Sequence, residues 1–177
     1  GTNTNSTHYI TIATTGNAAN FKDLTQSKQS LAGFSSSTRA MVAGGYVSSE
    51  TNVIEYSTFN TTGSWTDFGD LTDARQPIGA SSNTRGLIIG GWDGASYSNI
   101  IDYVTIASTG NATDFGDTST GTNRTMATSN RTIAVFNVSN GGTNTNTLEQ
   151  VTIATTGNST DFGDLSVTSR SGYATSG

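Results

Sequence analysis

One ten-residue phrase is written three times with little change: TTGSWTDFGD at 61–70, STGNATDFGD at 108–117 and TTGNSTDFGD at 155–164. A worn copy, TTGNAANFKD, stands at 14–23. The closing aspartates, Asp23, Asp70, Asp117 and Asp164, are spaced a constant 47 residues apart. Gly16, Gly63, Gly110 and Gly157 keep the same step, as do Phe21, Phe68, Phe115 and Phe162. A fixed period of about 40–50 residues marks a repeat architecture, in which each unit buries its apolar faces against its neighbours. Whatever one unit folds into, the next must fold into as well, and the two must fit.

Within one unit the apolar residues fall in short β-type runs. QPIGASS (76–82) is a strand of small residues, and RGLIIGG (85–91) follows with the nearly continuous apolar character of a strand buried on both faces. NIIDYVTIAS (99–108) is long and β-branched, with Ile101, Tyr103 and Thr105 on one face and Ile100, Val104 and Ile106 nearer the other. After TGN a short strand covers Thr113 to Gly116. Four short antiparallel strands recurring every 47 residues predict an all-β fold, a β-propeller of four-stranded blades rather than a sandwich. TGN suits a tight turn, because Gly takes positive φ without steric cost and Asn bonds nearby backbone. The phenylalanine of DFGD is then expected to point into the contact between adjacent blades, with the last Asp capping the exit toward the next one.

With strands lettered A to D from centre to rim, the chain opens on a C strand at His8 and finishes on an A strand near Tyr173. Three full blades lie between. The reading is one repeat domain over 1–177, with units at about 8–54, 55–101, 102–148 and, in part, 149–177. The incomplete terminal units and a start at Gly1 rather than Met suggest a piece of a longer propeller.

Composition removes several functions. Only 32% of the chain is hydrophobic and 12% is charged, a profile near that of disordered chains, but the regular β-runs argue for folding. Net charge is −5 and the eight basic residues are scattered, so no patch is available to neutralise nucleic-acid phosphates. There is no cysteine, hence no disulfide or thiolate metal site, and His8 is alone, which leaves no His-based metal cluster and no Ser-His-Asp set elsewhere. No apolar run approaches the roughly 18–20 residues of a membrane span, and no signal peptide is visible.

The wording RGLIIGGWDG…NIIDYVTIASTGNATDFGDT resembles a kelch repeat: apolar residues before a Gly-Gly pair, then a tyrosine, then a closing strand. NVIEYSTFNTTGSWTDFGDLTDAR also has the tryptophan that kelch units place there, with Tyr56, Trp65 and Arg75 in register. Repeats of this phrasing are also similar to those of virion structural and tail-associated proteins of marine cyanophages and related viruses. The resemblance covers nearly the whole chain. It departs in the third unit, where VFNVSN (135–140) replaces the Gly-Gly pair, and at Trp65, which is Ala18, Ala112 and Ser159 in the other copies. It implies a propeller in an extracellular or virion-surface setting, with other virion or fibre subunits as partners.

For chemistry, the paired carboxylates Asp67/Asp70, Asp114/Asp117 and Asp161/Asp164 have the oxygen ligands a calcium ion takes, but they read more simply as turn caps, and no metal is expected. DFGD is not the kinase triplet, which needs a lysine and a catalytic loop that are missing. Arg39, Arg85 and Arg131 recur 46 apart, yet the Ser-x-Asp-x-Gly-x-Thr-Trp box of sialidase-like propellers is missing. The Asn-x-Ser/Thr sequons at Asn5, Asn60, Asn111, Asn123, Asn130, Asn137 and Asn158 are common by composition alone.

The loop between strands B and C varies most, reading YVSSETN, WDGASYSN and VSNGGTNTNT on an otherwise repeating scaffold. Varied loops on a rigid scaffold are where ligands bind. Tyr46, Trp92, Asp93 and Tyr97, with Arg75 on the adjoining D–A connection, are therefore the candidate ligand-binding residues, the aromatics stacking on a sugar ring while Asp93 and, beside Tyr46, Glu50 accept its hydroxyls; packing on the next blade is the competing role for Tyr46 and Trp92. The expectation is a structural or binding module that is not an enzyme, uses no cofactor, and meets a host-surface glycan or receptor. The alternative is a hydrolase or lyase acting on polysaccharide, which needs two carboxylates facing one cleft.

Overall fold

The computed structural model describes residues 4–61, 63–123, 125–139, 141, 143–169, 172 and 174. Fourteen strands and no helix occur among them. β1 (Thr4–Tyr9) and β2 (Ala19–Lys28) form a two-stranded sheet. Three four-stranded sheets follow: β3 (Ala32–Ser35), β4 (Arg39–Ala43), β5 (Val53–Thr58) and β6 (Thr66–Asp70); β7 (Gln76–Ser81), β8 (Arg85–Trp92), β9 (Tyr97–Thr105) and β10 (Thr113–Asp117); and β11 (Ala127–Ser129), β12 (Ile133–Asn137), β13 (Thr145–Thr152) and β14 (Thr160–Ser169). Each is an antiparallel meander with sequential strands as neighbours. The all-β reading and the four strands per unit hold, and in the second unit every expected strand lies within two or three residues of its place.

The first strands of the three sheets lie side by side. The Ser81 hydroxyl donates to the Ser35 carbonyl at 2.8 Å, and the Ser129 hydroxyl donates to the Ser81 carbonyl at 2.7 Å. Small residues suit this crowded centre: Gly33, Gly79 and Ala127 line a cavity of about 180 Å³ together with Ala174. Tyr173, where a last A strand was expected, lies outside the described residues.

The middle sheet is buried on both faces, as the run RGLIIGG required. Ile88, Val104 and Ile106 pack with Met41, Ile54 and Phe68 of the sheet before it. Leu87, Ile89, Ile101 and Phe115 pack with Phe136, Val151 and Ile153 of the sheet after it. Burying each such side chain fully stabilises the fold by about 1.5–3 kcal/mol. Phe68 and Phe115 both point into the contact with the following sheet. Tyr56 and Tyr103 meet them edge-on, with centroids 5.8 and 6.1 Å away. Arg39 and Arg85 then stack on those tyrosines, at 4.6 and 4.3 Å from the ring centres, and donate to the carbonyls of Ile106 and Ile153 in the next sheet.

Arg131 does not continue that series. The residue matching Arg39 and Arg85 in strand register is Ile133, which pairs with Thr152 as they pair with Thr58 and Thr105. Arg131 instead sits in the β11–β12 turn at φ 77°.

Candidate functional site

The repeated phrase proves to be two halves of a joint between sheets. Gly110 of the TGN turn donates its amide to the Phe68 carbonyl at 2.8 Å, and Ala112 donates to the Asp70 carbonyl at 2.8 Å. The Asn111 Oδ1 accepts the Asp70 amide at 3.1 Å. One unit further on, Gly157 donates to Phe115 at 2.7 Å, Ser159 donates to Asp117 at 2.9 Å, and Asn158 Oδ1 accepts from Asp117 at 3.0 Å. Gly69 and Gly116 lie at φ 145°, and a Cβ on either would overlap the incoming Gly110 or Gly157 carbonyl. The glycine of DFGD is thus the floor on which the next TGN turn seats. The last Asp contributes its backbone to the joint. Among the described residues no group of three or more His, Cys, Asp or Glu converges. Asn111 and Asn158 are exposed and lend only their Oδ1 atoms to these joints, whereas the Asn137 side chain is fully buried, which removes the surface reading of that one sequon.

A second repeating device lies on strand C, facing the preceding unit. Glu55, Asp102 and Glu149, each 47 residues from the last, are buried carboxylates. Each accepts from the backbone that leads toward its own sheet's first strand: within β2 for Glu55, and in the connections after β6 and β10 for Asp102 and Glu149. Glu55 accepts the Thr25 amide at 2.7 Å, Asp102 accepts the Thr72 amide at 3.1 Å and its hydroxyl at 2.8 Å, and Glu149 accepts the Ser119 amide at 3.2 Å and its hydroxyl. Two of the three also hold a cation: Lys28 Nζ is 2.5 Å from Glu55, and Arg75 Nη2 is 3.0 Å from Asp102. At the third, the equivalent of Lys28 and Arg75 is Thr122; among the described residues no cation pairs with Glu149. Ser159 donates to that carboxylate in its place.

Arg75 therefore does not belong to an open binding face. Its side chain is 0% exposed, and its guanidinium donates to Asp102, to the carbonyls of Gly90 (2.9 Å) and Ile88 (3.4 Å), and to its own neighbour Asp73 (3.1 Å). Four of its five N–H donors are engaged, and with no exposed surface the guanidinium cannot meet a ligand from outside.

The other candidates do come together, at the end where the B–C loops meet the D–A connections. Trp92 ends β8 and pairs in register with Tyr97, which starts β9; their rings are 4.9 Å apart and tilted by 59°. Trp92 also pairs with Gln76, whose amide donates to Glu50 at 3.0 Å. Tyr46 forms bridges with Gln29 and Glu50, which closes a continuous chain from Tyr46 through Glu50 and Gln76 to Trp92 and Tyr97. All five are partly exposed. The Gly-Gly pair makes this approach possible: Gly45 and Gly91, at φ 106° and 120°, donate to the carbonyls of Arg75 and Thr122 at 2.9 and 2.8 Å. A Cβ on Gly91 would overlap Gln76 backbone.

Asp93 has a local task. Its carboxylate accepts the Ser96 amide at 2.6 Å, the Ser96 hydroxyl at 2.7 Å and the Ala95 amide at 2.7 Å, pinning the four-residue hairpin turn. The Ser96 amide, then its hydroxyl, then the Ala95 amide hold the carboxyl below its ordinary value. It is an anion committed to the turn, unlike the raised, proton-donating acid of a glycosidase. Sequence reasoning missed Gln76, which links Glu50 to the Trp92–Tyr97 pair, and the buried carboxylates. The 47-residue step of Glu55, Asp102 and Glu149 was the available signal for the latter.

Sheets of four antiparallel strands, first strands gathered at the centre and apolar faces stacked in sequence, define a β-propeller-like fold. Among solved structures the chain is similar to that reported as "Structure of YjhT", with a TM-score of 0.71 over 93% of this chain at 8% identity. It spans 66% of the length of that structure. No family profile matches the chain, and no curated protein does.

Proposed function

We propose that this chain is a kelch-like propeller module of an extracellular fibre or virion appendage, and that its B–C loop face binds a glycan or glycosylated receptor without acting on it. The observation that carries the reading is the partly exposed Trp92–Tyr97 pair beside Glu50 and Gln76. Aromatic faces take the apolar side of a sugar ring, and carboxylate and amide groups at its edge bond the hydroxyls. The carboxylates placed for chemistry elsewhere have structural partners: Glu55, Asp102 and Glu149 cap backbone inside the fold, and Asp93 pins a turn. The kelch label and the virion setting rest on the sequence resemblance.

The test uses fluorescence. The chain has two tryptophans, so in a Trp65→Phe background Trp92 is the only indole. Titration with a glycan library should change its emission for one class of sugar, and Tyr97→Ala in the same background should weaken that binding at least about tenfold, the equivalent of 1.4 kcal/mol. Glycan-array binding that leaves Trp92 emission unmoved, and survives Tyr97→Ala in a protein with an unchanged circular-dichroism spectrum, would refute this surface as the site.

A further inference from the structure

We propose that a second ligand site lies at the seam between the second and third four-stranded sheets, at the end opposite the B–C loops, and that it takes a monosaccharide-sized ligand by a carboxylate or sulfate group. The inference does not depend on the glycan reading of the loop face. A cavity of about 360 Å³ lies there between the β7–β8 turn, the β11–β12 turn and the β13–β14 connection, lined by Ser82, Asn83, Thr84, Arg85, Arg131 and Ala154. That volume suits a small organic ligand. Two of the lining residues are cations and none is a carboxylate, on a chain whose net charge is −5. A positive recess on an acidic protein concentrates anions at one place.

The two arginines reach the cavity by different routes. Arg85 is held in position: its guanidinium lies 4.3 Å from the Tyr103 ring centre, and Nη1 donates to the Ile153 carbonyl at 2.9 Å. Its Nε and Nη2 donate to no described residue, which leaves a fixed, partly exposed donor edge. Arg131 is exposed, and its guanidinium makes no hydrogen bond or ion pair with a described residue. Its backbone stands at φ 77°, whereas neither Ser37 nor Asn83, at the matching turn positions, has positive φ. Asparagine or glycine would take that conformation more readily than arginine, so the residue is placed there for its side chain rather than for the turn. The preceding seam is the control. Arg39 is held there in the same way, by Tyr56 and the Ile106 carbonyl, but the turn residue of the next sheet is the neutral Asn83. The doubled charge is thus no shared requirement of the repeat. Two guanidinium groups around one recess match the oxygens of a carboxylate or a tetrahedral oxyanion, and Asn83 and Thr84 at its rim offer polar groups to sugar hydroxyls.

The test is an NMR titration in low salt with four probes: glucuronate, a glucose sulfate ester, inorganic sulfate and neutral glucose. Between about 0.1 and about 10 mM, the range of weak small-ligand binding, at least one of the two acidic sugars should shift the amide signals of Asn83, Thr84 and Thr132 saturably, and glucose should not. The tighter of the two acids distinguishes carboxylate from sulfate as the group preferred. Arg131→Asn gives the turn the residue of the second unit and suits the observed φ; it should weaken the binding at least about tenfold with the thermal melt unchanged or raised. Asn83→Asp, at an exposed turn position, adds a carboxylate to the cavity and should weaken it as much. No saturable shift with either acid, glucose binding as tightly as the acids, inorganic sulfate binding as tightly as both (an adventitious ion only), or affinity that survives either substitution would each overturn the proposal.

Discussion

The Arg75–Asp102 pair offers the most decisive perturbation of the fold. Asp102→Ala removes a carboxylate that accepts from Arg75 at 3.0 Å and from the Thr72 amide and hydroxyl at 3.1 and 2.8 Å. The guanidinium, 0% exposed, keeps only neutral carbonyl acceptors on Gly90, Ile88 and Asp73. Breaking a buried pair in this way costs about 3–5 kcal/mol, because the remaining charge is uncompensated. Set against a net stability of about 5–15 kcal/mol, that is a large fraction of the total. For a chain of this size each kcal/mol moves the melting temperature by about 2–4 °C, so the expected drop is about 6–20 °C. The assay is thermal unfolding followed by circular dichroism, with urea unfolding as a second measure. Arg75→Met with Asp102→Leu should recover most of the loss, since no charge is then stranded and Thr72 is exposed to water. A single-variant drop below about 3 °C, or a double variant that melts lower than the single, would refute the account of a saturated buried charge.

Phe115 and Phe162 occupy the same place in the repeated phrase, one enclosed and one open. Phe115→Ala should cost about 3–5 kcal/mol in urea unfolding, while Phe162→Ala in dilute protein should cost under about 1 kcal/mol; equal losses would contradict the observed packing. The Asp93 turn should be pH-dependent in one direction only. Its folded carboxyl is held below the ordinary value of 3.8, so its hold on the Ala95 and Ser96 amides is complete above that value and is lost as pH falls through the folded-state value. Amide signals of Ala95 and Ser96 followed by NMR should titrate with a midpoint below 3.8, and Asp93→Asn should abolish the titration; a midpoint at or above 3.8 would refute the assignment.

Much of this architecture was legible because repetition averages out local ambiguity. RGLIIGG read as a strand buried on both faces, and its alternate residues do pack against different neighbours. The inward place of the DFGD phenylalanines followed from the same logic. Arg75 was misplaced because its partner lies 27 residues away and no local pattern marks an arginine as buried. Asp102 was overlooked for a related reason: a lone carboxylate between Ile101 and Tyr103 looks like solvent-facing alternation until the sheet against it is known. The 46-residue spacing of the arginines misled through loop length. The second unit has one residue fewer before its first strand and one more in its B–C loop, so strand register steps by 46 and then by 48 while the phrase itself keeps 47. At the loop face, Trp92, Tyr97 and Glu50 were found by residue type, whereas the Gln76–Glu50 bond joins two units and is invisible to a reading made one unit at a time.

The seating of TGN on DFGD runs mostly through main-chain atoms, with one asparagine side chain in each joint and the Ser159 hydroxyl added in the second. A joint made that way is indifferent to which unit supplies either half. Duplication or loss of a whole unit by unequal recombination would leave every new neighbour with a compatible surface at once, with no compensating substitution needed. The number of units in such a gene is therefore free to drift far faster than the wording of any one of them, and selection on the loops can proceed unit by unit while the scaffold is copied around them.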